Sequence, residues 1–264
     1  MTNLNGDDEE LVLIVVCITL SSSALDALNQ FYAERDARAE QFSRLKTQAE
    51  ELHAAVTMQP LSMEAFTEDW NESQFWYADE TASLFARELL DGATSDMTIA
   101  VVSAPSVFVA LKNILNTAPP NDPRPKVVLL EHDRRFAVFP EFIFYDFAQP
   151  LKLPPHLKAS CDRLVVDPPF LSEDCQTKAA LTVRWLSRPA SPSGQQPKLI
   201  VCTGERMETV VTRLYRSFGL RTTDYDPVHA RGLSNEFYTY ANFTSSSWKW
   251  RLREGNGKEG AKAS

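Results

Sequence analysis

Cysteine, histidine and clustered positive charge are all scarce in this 264-residue chain, and each scarcity excludes something. The four cysteines, Cys17, Cys161, Cys175 and Cys202, lack metal-ligand spacing and the four histidines do not cluster with them, so no metal site is expected. Cys161 and Cys202 lie in or beside apolar runs, where a reduced thiol packs as a small hydrophobe, which fits a reducing compartment. Lysine and arginine total 27 against 35 acidic residues, a formal net charge of -8. Gripping a phosphate backbone takes concentrated basic residues, so nucleic acid is a disfavoured partner and a basic protein a favoured one.

Long apolar runs are missing too. The most hydrophobic stretch, "LVLIVVCITL", is about ten residues long, roughly half of what a helix needs to cross a bilayer. Its upstream flank "GDDEE" is acidic where a signal peptide is basic. Neither a membrane span nor a signal peptide is expected; the alternatives are an added strand, a sticky partner-binding segment and an artefact of the gene model, and a segment with no native function is the favoured one.

What is present is enough apolar material, 44% of residues, to bury one core of catalytic size. From Ser21 the spacing of Leu25, Leu28, Phe31 and Tyr32 predicts a helix, continuing as a charged, exposed one toward His53. Next, "WNESQFWY" crowds aromatics ahead of an amphipathic helix carrying Leu84, Phe85, Leu89 and Leu90; such a cluster packs a core or walls a pocket. Thereafter strands and helices alternate. "TIAVVS", "KVVLLEHD", "EFIFYD", "RLVVD" and "KLIVCT" read as strands, with helices at "PSVFVALKNIL", from about Glu173 to Ser187, and from near Glu205. Alternation predicts parallel strands with helices on both faces. "LRTTDYD" and "NEFYTYANF" leave no room between them for a helix, and predict an antiparallel hairpin at one edge. "TAPPNDPRPK" and "RPASPSGQQPK" are polar loops.

In open α/β sheets ligands bind beyond the carboxyl ends of the parallel strands. Here those ends carry Ser103-Ala104-Pro105, then Glu131 with Asp133, then Asp146, and then Asp167-Pro168-Pro169-Phe170. An acid ending the second strand suits ribose hydroxyls, and one ending the third suits an adenine amino group, so the set reads as a nucleoside pocket. Proline has no donor for a ladder, so the strand before Pro168 must stop at Asp167 and run into a loop with little freedom. Asn235 and Glu236 either border this site or cap the last strand.

Together the strand order, the acid at the second strand and the Asp-Pro-Pro-Phe tetrad resemble a class I S-adenosylmethionine-dependent methyltransferase acting on an amino nitrogen. More closely, "ALDALNQFY", "WNESQFWY", "VSAPSVF", "DRRFAVFPEFIFYDF", "VVDPPFLSEDC", "VCTG" and "LSNEF" resemble the protein-lysine methyltransferases of translation elongation factor 1-alpha, long described as adenine-specific DNA methyltransferases. The glycine-rich loop usual after the first strand of a class I methyltransferase is replaced by "SAPSVF", a replacement this family shares. The resemblance, from about Ser22 to Phe243, implies a seven-stranded Rossmann-like sheet with helices on both faces, an antiparallel C-terminal hairpin and an N-terminal helical extension. Residues 1–20 would be an acidic and hydrophobic segment that is doubtful or disordered, 21–65 the extension, 66–243 the methyltransferase domain and 244–264 a disordered tail.

The resemblance further implies S-adenosyl-L-methionine as cofactor, bound by Phe75, Trp76, Thr81, Ser103, Ala104, Glu131, Asp133 and Asp146. Asp167, Pro168, Pro169 and Phe170 would form the catalytic loop, with elongation factor 1-alpha as the protein substrate. The expected enzyme is a cytoplasmic monomer with no nucleic-acid or membrane partner. Two alternatives are methylation of adenine in DNA or RNA and a noncatalytic module that binds a partner through its long helix.

Overall fold

The computed structural model describes residues 30, 60–63, 66, 74–191, 194, 196–232 and 236–252. The run "LVLIVVCITL" and most of the helix expected after Ser21, with His53, lie outside the described residues, as does Asn235. Helix α1, Asp79–Leu90, opens the alternation, with Asp79 and Glu80 in its first turn where the helix dipole favours negative charge. Strand β1, Thr98–Val102, and helix α2, Pro105–Thr117, follow, the latter opened by a proline whose missing N–H costs nothing in a first turn. Then come β2, Lys126–Glu131; β3, Phe142–Phe144; β4, Arg163–Val166; α3, Glu173–Leu186; β5, Lys198–Gly204; and α4, Glu208–Leu214. Strands β6, Arg221–Thr222, and β7, Phe237–Ala241, close the sheet.

The seven strands lie in the order β3-β2-β1-β4-β5-β7-β6. The first five are parallel, while β7 runs antiparallel to both β5 and β6, so the terminal hairpin forms one edge as its spacing predicts. Period-two alternation sorts the strand side chains between two cores. Ile99 and Val101 face α1 and α2, with Leu129, Val165 and Ile200 beside them. Ala100 and Val102 face α3 and α4, with Leu130, Leu164 and Val201. Each central strand is therefore apolar on both faces, the pattern of a parallel sheet covered on both sides.

Two expected boundaries shift. Leu61 is buried, and its backbone N–H and C=O both bond the Asn113 side chain on α2, while the Phe66 ring stacks on Phe136 at 4.2 Å, so the chain joins the core before residue 66. The tail expected from residue 244 is a second correction. Trp248 is 2% exposed in the α1 core and donates its indole N–H to the Phe243 carbonyl, and Trp250 bridges to Thr223. Polar residues on either side hide this one large apolar anchor from a compositional reading.

The fold aligns the site. Val102 lies opposite both Leu130 and Val166, so these three residues of β1, β2 and β4 stand level. One residue beyond, Glu131, Ser103 and Asp167 stand side by side, with Ser103 N–H donating to Leu130 and Asp167 N–H to Val102.

Candidate active site

The loop after β4 is pinned at both ends. Asp167 still donates to the ladder at 3.0 Å, Pro168 cannot, and Pro168 is buried where the strand stops. At the far end Ser172 caps α3 by accepting from Cys175 N–H. Between them Gln176, fully buried on the first turn of α3, donates to the Phe170 carbonyl and to Thr203 Oγ1. Leu171 packs over Gly204 so closely that a Cβ there would stand 2.9 Å from its side chain, which explains glycine at the end of β5. Phe170 remains 37% exposed, its ring 5.4 Å from Phe147. The four residues of the tetrad thus form a stiff rim carrying one carboxyl and one accessible aromatic face.

Asp167 accepts a 2.7 Å hydrogen bond from the Tyr77 hydroxyl. Burial pushes its carboxyl up to about 7, opposed by that bond and reinforced by the nearby Glu131. Glu131, 6% exposed, is pushed up to about 7 by the same cause, although its Oε1 accepts from His132 and Asp133 N–H. Two desolvated carboxyls thus flank the end of β1, where they can accept hydrogen bonds and favour a positively charged group.

At the end of β1, Ser103 adopts a left-handed backbone, φ 54°, the conformation a glycine takes without strain. A non-glycine residue there costs roughly 1–3 kcal/mol and persists only where its surroundings enforce it. Ala104, 2% exposed, caps α2 and exposes little side chain. Asp133 caps the 3-10 turn Arg134–Val138 through Oδ1, which accepts from Arg135 N–H, while its Oδ2 is ion-paired to Arg135 at 2.5 Å and also accepts from the Gln74 amide. Asp146 holds its own turn, accepting from Ala148 N–H and the Gln149 amide, bonds that keep its carboxyl below the usual range. Phe75 is half-buried.

Two more of the expected cofactor residues have partners within the chain. Thr81 is fully buried, its hydroxyl shared between the Tyr225 hydroxyl and Val228 N–H, so it fastens the 225–228 segment to α1. Trp76 is 7% exposed with its indole N–H on the Phe66 carbonyl, and belongs to the core. Glu236 is exposed, its acidity reduced first by the adjoining Glu205 carboxyl. Sequence reasoning missed Tyr77 and Gln176. The signal for Tyr77 was a polar-tipped aromatic in "QFWY", directly before a helix that the core must bury.

A family profile described as "Probable N6-adenine methyltransferase" matches residues 68–245. The chain is 42% identical over 241 residues to a Saccharomyces cerevisiae protein named "Protein-lysine N-methyltransferase EFM5", covering 88% of this chain and 94% of that protein. This chain belongs to that family. The Gallus gallus member named "EEF1A lysine methyltransferase 1" is 39% identical, covering 92% of this chain and 99% of its own length. The Homo sapiens member of the same name is 36% identical, covering 86% and 92%. The family's profile and its individual members thus carry names for two different acceptors, an adenine and a protein lysine.

Proposed function

We propose that this protein is an S-adenosylmethionine-dependent protein-lysine N-methyltransferase whose substrate is translation elongation factor 1-alpha. The observation that carries this reading is the stiff Asp167–Phe170 rim beside the buried Glu131, in a chain similar over nearly its whole length to proteins named for lysine methylation.

The chemistry of the groups present fits the cofactor. Glu131 is a buried acceptor at the end of β2, suited to ribose hydroxyls, and Asp146 at the end of β3 suits an adenine amino group. Ser103 and Phe75 complete the set, and Asp133 acts by shaping the turn beside it. When bound, the cofactor supplies a methyl group on a cationic sulfur. Asp167 and the Pro168 carbonyl accept hydrogen bonds from the acceptor amine and aim its lone pair, and the prolines hold that aim, since attack in line depends on orientation. Phe170 offers a π face to the developing ammonium. Lysine, with an ordinary pKa near 10.4, must shed a proton first, which desolvation favours, and water takes that proton.

The family profile's own description favours a second reading, methylation of adenine. That acceptor requires a flipped base and neutralised phosphates. Acids outnumber basic residues by 35 to 27 in this chain, and "DPPFLSEDC" sets two more acids beside the loop, suiting a cationic protein segment. Labelled cofactor incubated with folded elongation factor 1-alpha and with DNA decides between them. Label on a protein lysine and none on adenine is expected; comparable transfer to adenine overturns the proposal. The cytoplasm is the compartment this substrate implies, and among the described residues no helix is long and apolar enough to cross a membrane.

A further inference from the structure

Tyr77 stands 90 residues before Asp167 and carries its polar end through an otherwise apolar setting to reach it. The residue is 3% exposed, its ring edge-on to Phe85 at 5.7 Å and tilted against His229 at 5.0 Å. Its backbone is held as firmly. Tyr77 N–H donates to Ser106 Oγ, the residue bridges to His229, and on either side Ala78 N–H donates to Val228 and Ala230 N–H to the Trp76 carbonyl. A ring so clamped cannot swing, so its hydroxyl fixes the carboxyl it touches. Among the described residues Tyr77 is the one side chain hydrogen-bonded to Asp167, and it occupies Oδ2, so Oδ1 takes no side-chain hydrogen bond from them.

We infer that Tyr77 is a positioning residue for methyl transfer, holding the Asp167 carboxyl in one orientation and favouring its ionised form for the acceptor amine. This rests on the lysine-methyltransferase reading above. A buried tyrosine hydroxyl generally finds some partner, so the bond alone would fit a purely structural role. The surroundings of Asp167 distinguish the two. Facing it are Glu131 at the end of β2, Cys202 on β5 and Cys175 on α3, with neutral His229 behind Tyr77. Burial pushes Cys175 up to about 11 and Cys202 higher still, so neither thiol ionises near neutrality or attracts the carboxylate's charge. Glu131 repels it, and burial disfavours it. Of these neighbours only Tyr77 favours the charged form, and the charged form is the acceptor the amine requires. Tyr77 itself stays a phenol, because burial first and then Asp167 hold its pKa well above the ordinary value.

The test is Tyr77→Phe in the full chain, which keeps the ring and its packing and removes only the hydroxyl. Rates on elongation factor 1-alpha are compared with wild type from pH 6 to pH 9. Titration of the acceptor lysine is common to both enzymes and cancels in their ratio. Losing a hydrogen bond to a charged group moves a carboxyl by about one pH unit or more, so Asp167 should titrate higher in the variant. The expected kcat deficit is about tenfold near pH 6 and shrinks several-fold by pH 9, with KM and cofactor affinity changed less than about twofold. A deficit that is equal at every pH, or none in a variant that melts with wild type, overturns the inference. Carbon-13 carboxyl NMR of the free protein, with the Asp167 signal identified by its loss in Asp167→Asn, gives a readout independent of turnover. An Asp167 titration unmoved by Tyr77→Phe also overturns the inference. Wild type that titrates as described yet transfers no methyl to protein would instead sink the functional reading.

Discussion

The side-chain amide of Gln176 donates to the Phe170 carbonyl at 3.3 Å and so ties the first turn of α3 to the end of the Asp167–Phe170 loop. The same nitrogen reaches Thr203 on β5 at 2.9 Å, so one buried amide spans three elements around the rim. A fixed helix therefore positions the loop's last carbonyl, where the prolines alone would fix only its first half.

Gln176→Ala should loosen that rim without touching the cofactor side. Leaving the Thr203 hydroxyl and the Phe170 carbonyl short of a buried donor costs about 1–3 kcal/mol of stability. Urea unfolding should show that loss, and kcat should fall several-fold while cofactor affinity stays within about twofold, because Glu131 is carried by another strand end. Calorimetry showing affinity and turnover falling together would mean the loop also shapes the cofactor pocket.

Asp167→Ala should abolish methyl transfer and leave cofactor binding nearly intact. The carboxyl lies at the rim with Tyr77 on Oδ2, whereas the nucleoside side is formed by Glu131 and the residues after β3. Equal losses in transfer and in calorimetric affinity would assign Asp167 to the cofactor instead.

Strands, their order of appearance and the acids at their ends were legible because each depends on local sequence: β-branched runs, period-two alternation, and proline where a ladder must stop. Pro168 marks the end of β4 in sequence and in structure alike. What escaped notice depends on residues far apart in the chain. Tyr77 and Asp167 meet across 90 residues and Gln176 and Thr203 across 27, and no periodicity in either segment encodes the meeting. Thr81 has partners that its local sequence does not show either. It sits beside an aromatic cluster suited to a pocket wall and falls on the inward side of α1, next to the exposed Asp79 and Glu80, where the Tyr225 hydroxyl and Val228 N–H share its hydroxyl. Ser103 shows a signal present in the sequence and easy to misread, since the absence of glycine after β1 leaves the left-handed turn in place and places its strain on a serine.

Trp248→Ala should show that residues 244–252 belong to the fold. The indole packs edge-on to Phe85 at 6.3 Å and against Phe243 at 5.3 Å, and its N–H is satisfied by the Phe243 carbonyl. Beyond it, Arg251 N–H donates to Thr222 and Lys249 N–H to Asp224, adding a short edge to β6. Emptying so large a buried site costs roughly 3–5 kcal/mol. Thermal melting should fall accordingly, and truncation after Phe243 should cost at least as much. A variant melting within a degree of wild type would return this segment to the role of a tail.

Glu131 links stability to pH in a direction opposite to that of a salt-bridged acid. Burial raises its carboxyl to about 7, against backbone hydrogen bonds that pull it down. In the unfolded chain it ionises near 4.3. Between those values the unfolded protein sheds a proton the folded one keeps, so the contribution is complete below about pH 4 and is lost as pH rises through 7. The shift is equivalent to roughly 3–4 kcal/mol. Glu131→Gln keeps the shape and an oxygen for the His132 and Asp133 N–H groups but cannot ionise. The stability difference, variant minus wild type, should therefore grow more positive by about that amount between pH 4.5 and pH 8, measured by urea unfolding of the cofactor-free protein at each pH. The same change should weaken cofactor binding by about 1–2 kcal/mol, since a charged acceptor for hydroxyl groups is lost. A variant that becomes more stable at neutral pH while binding its cofactor less well would identify Glu131 as a carboxyl kept at a cost to folding. A pH-independent difference would mean that Glu131 ionises in the folded protein at the same pH as in the unfolded chain, its burial being offset in full by its hydrogen bonds and neighbouring charge.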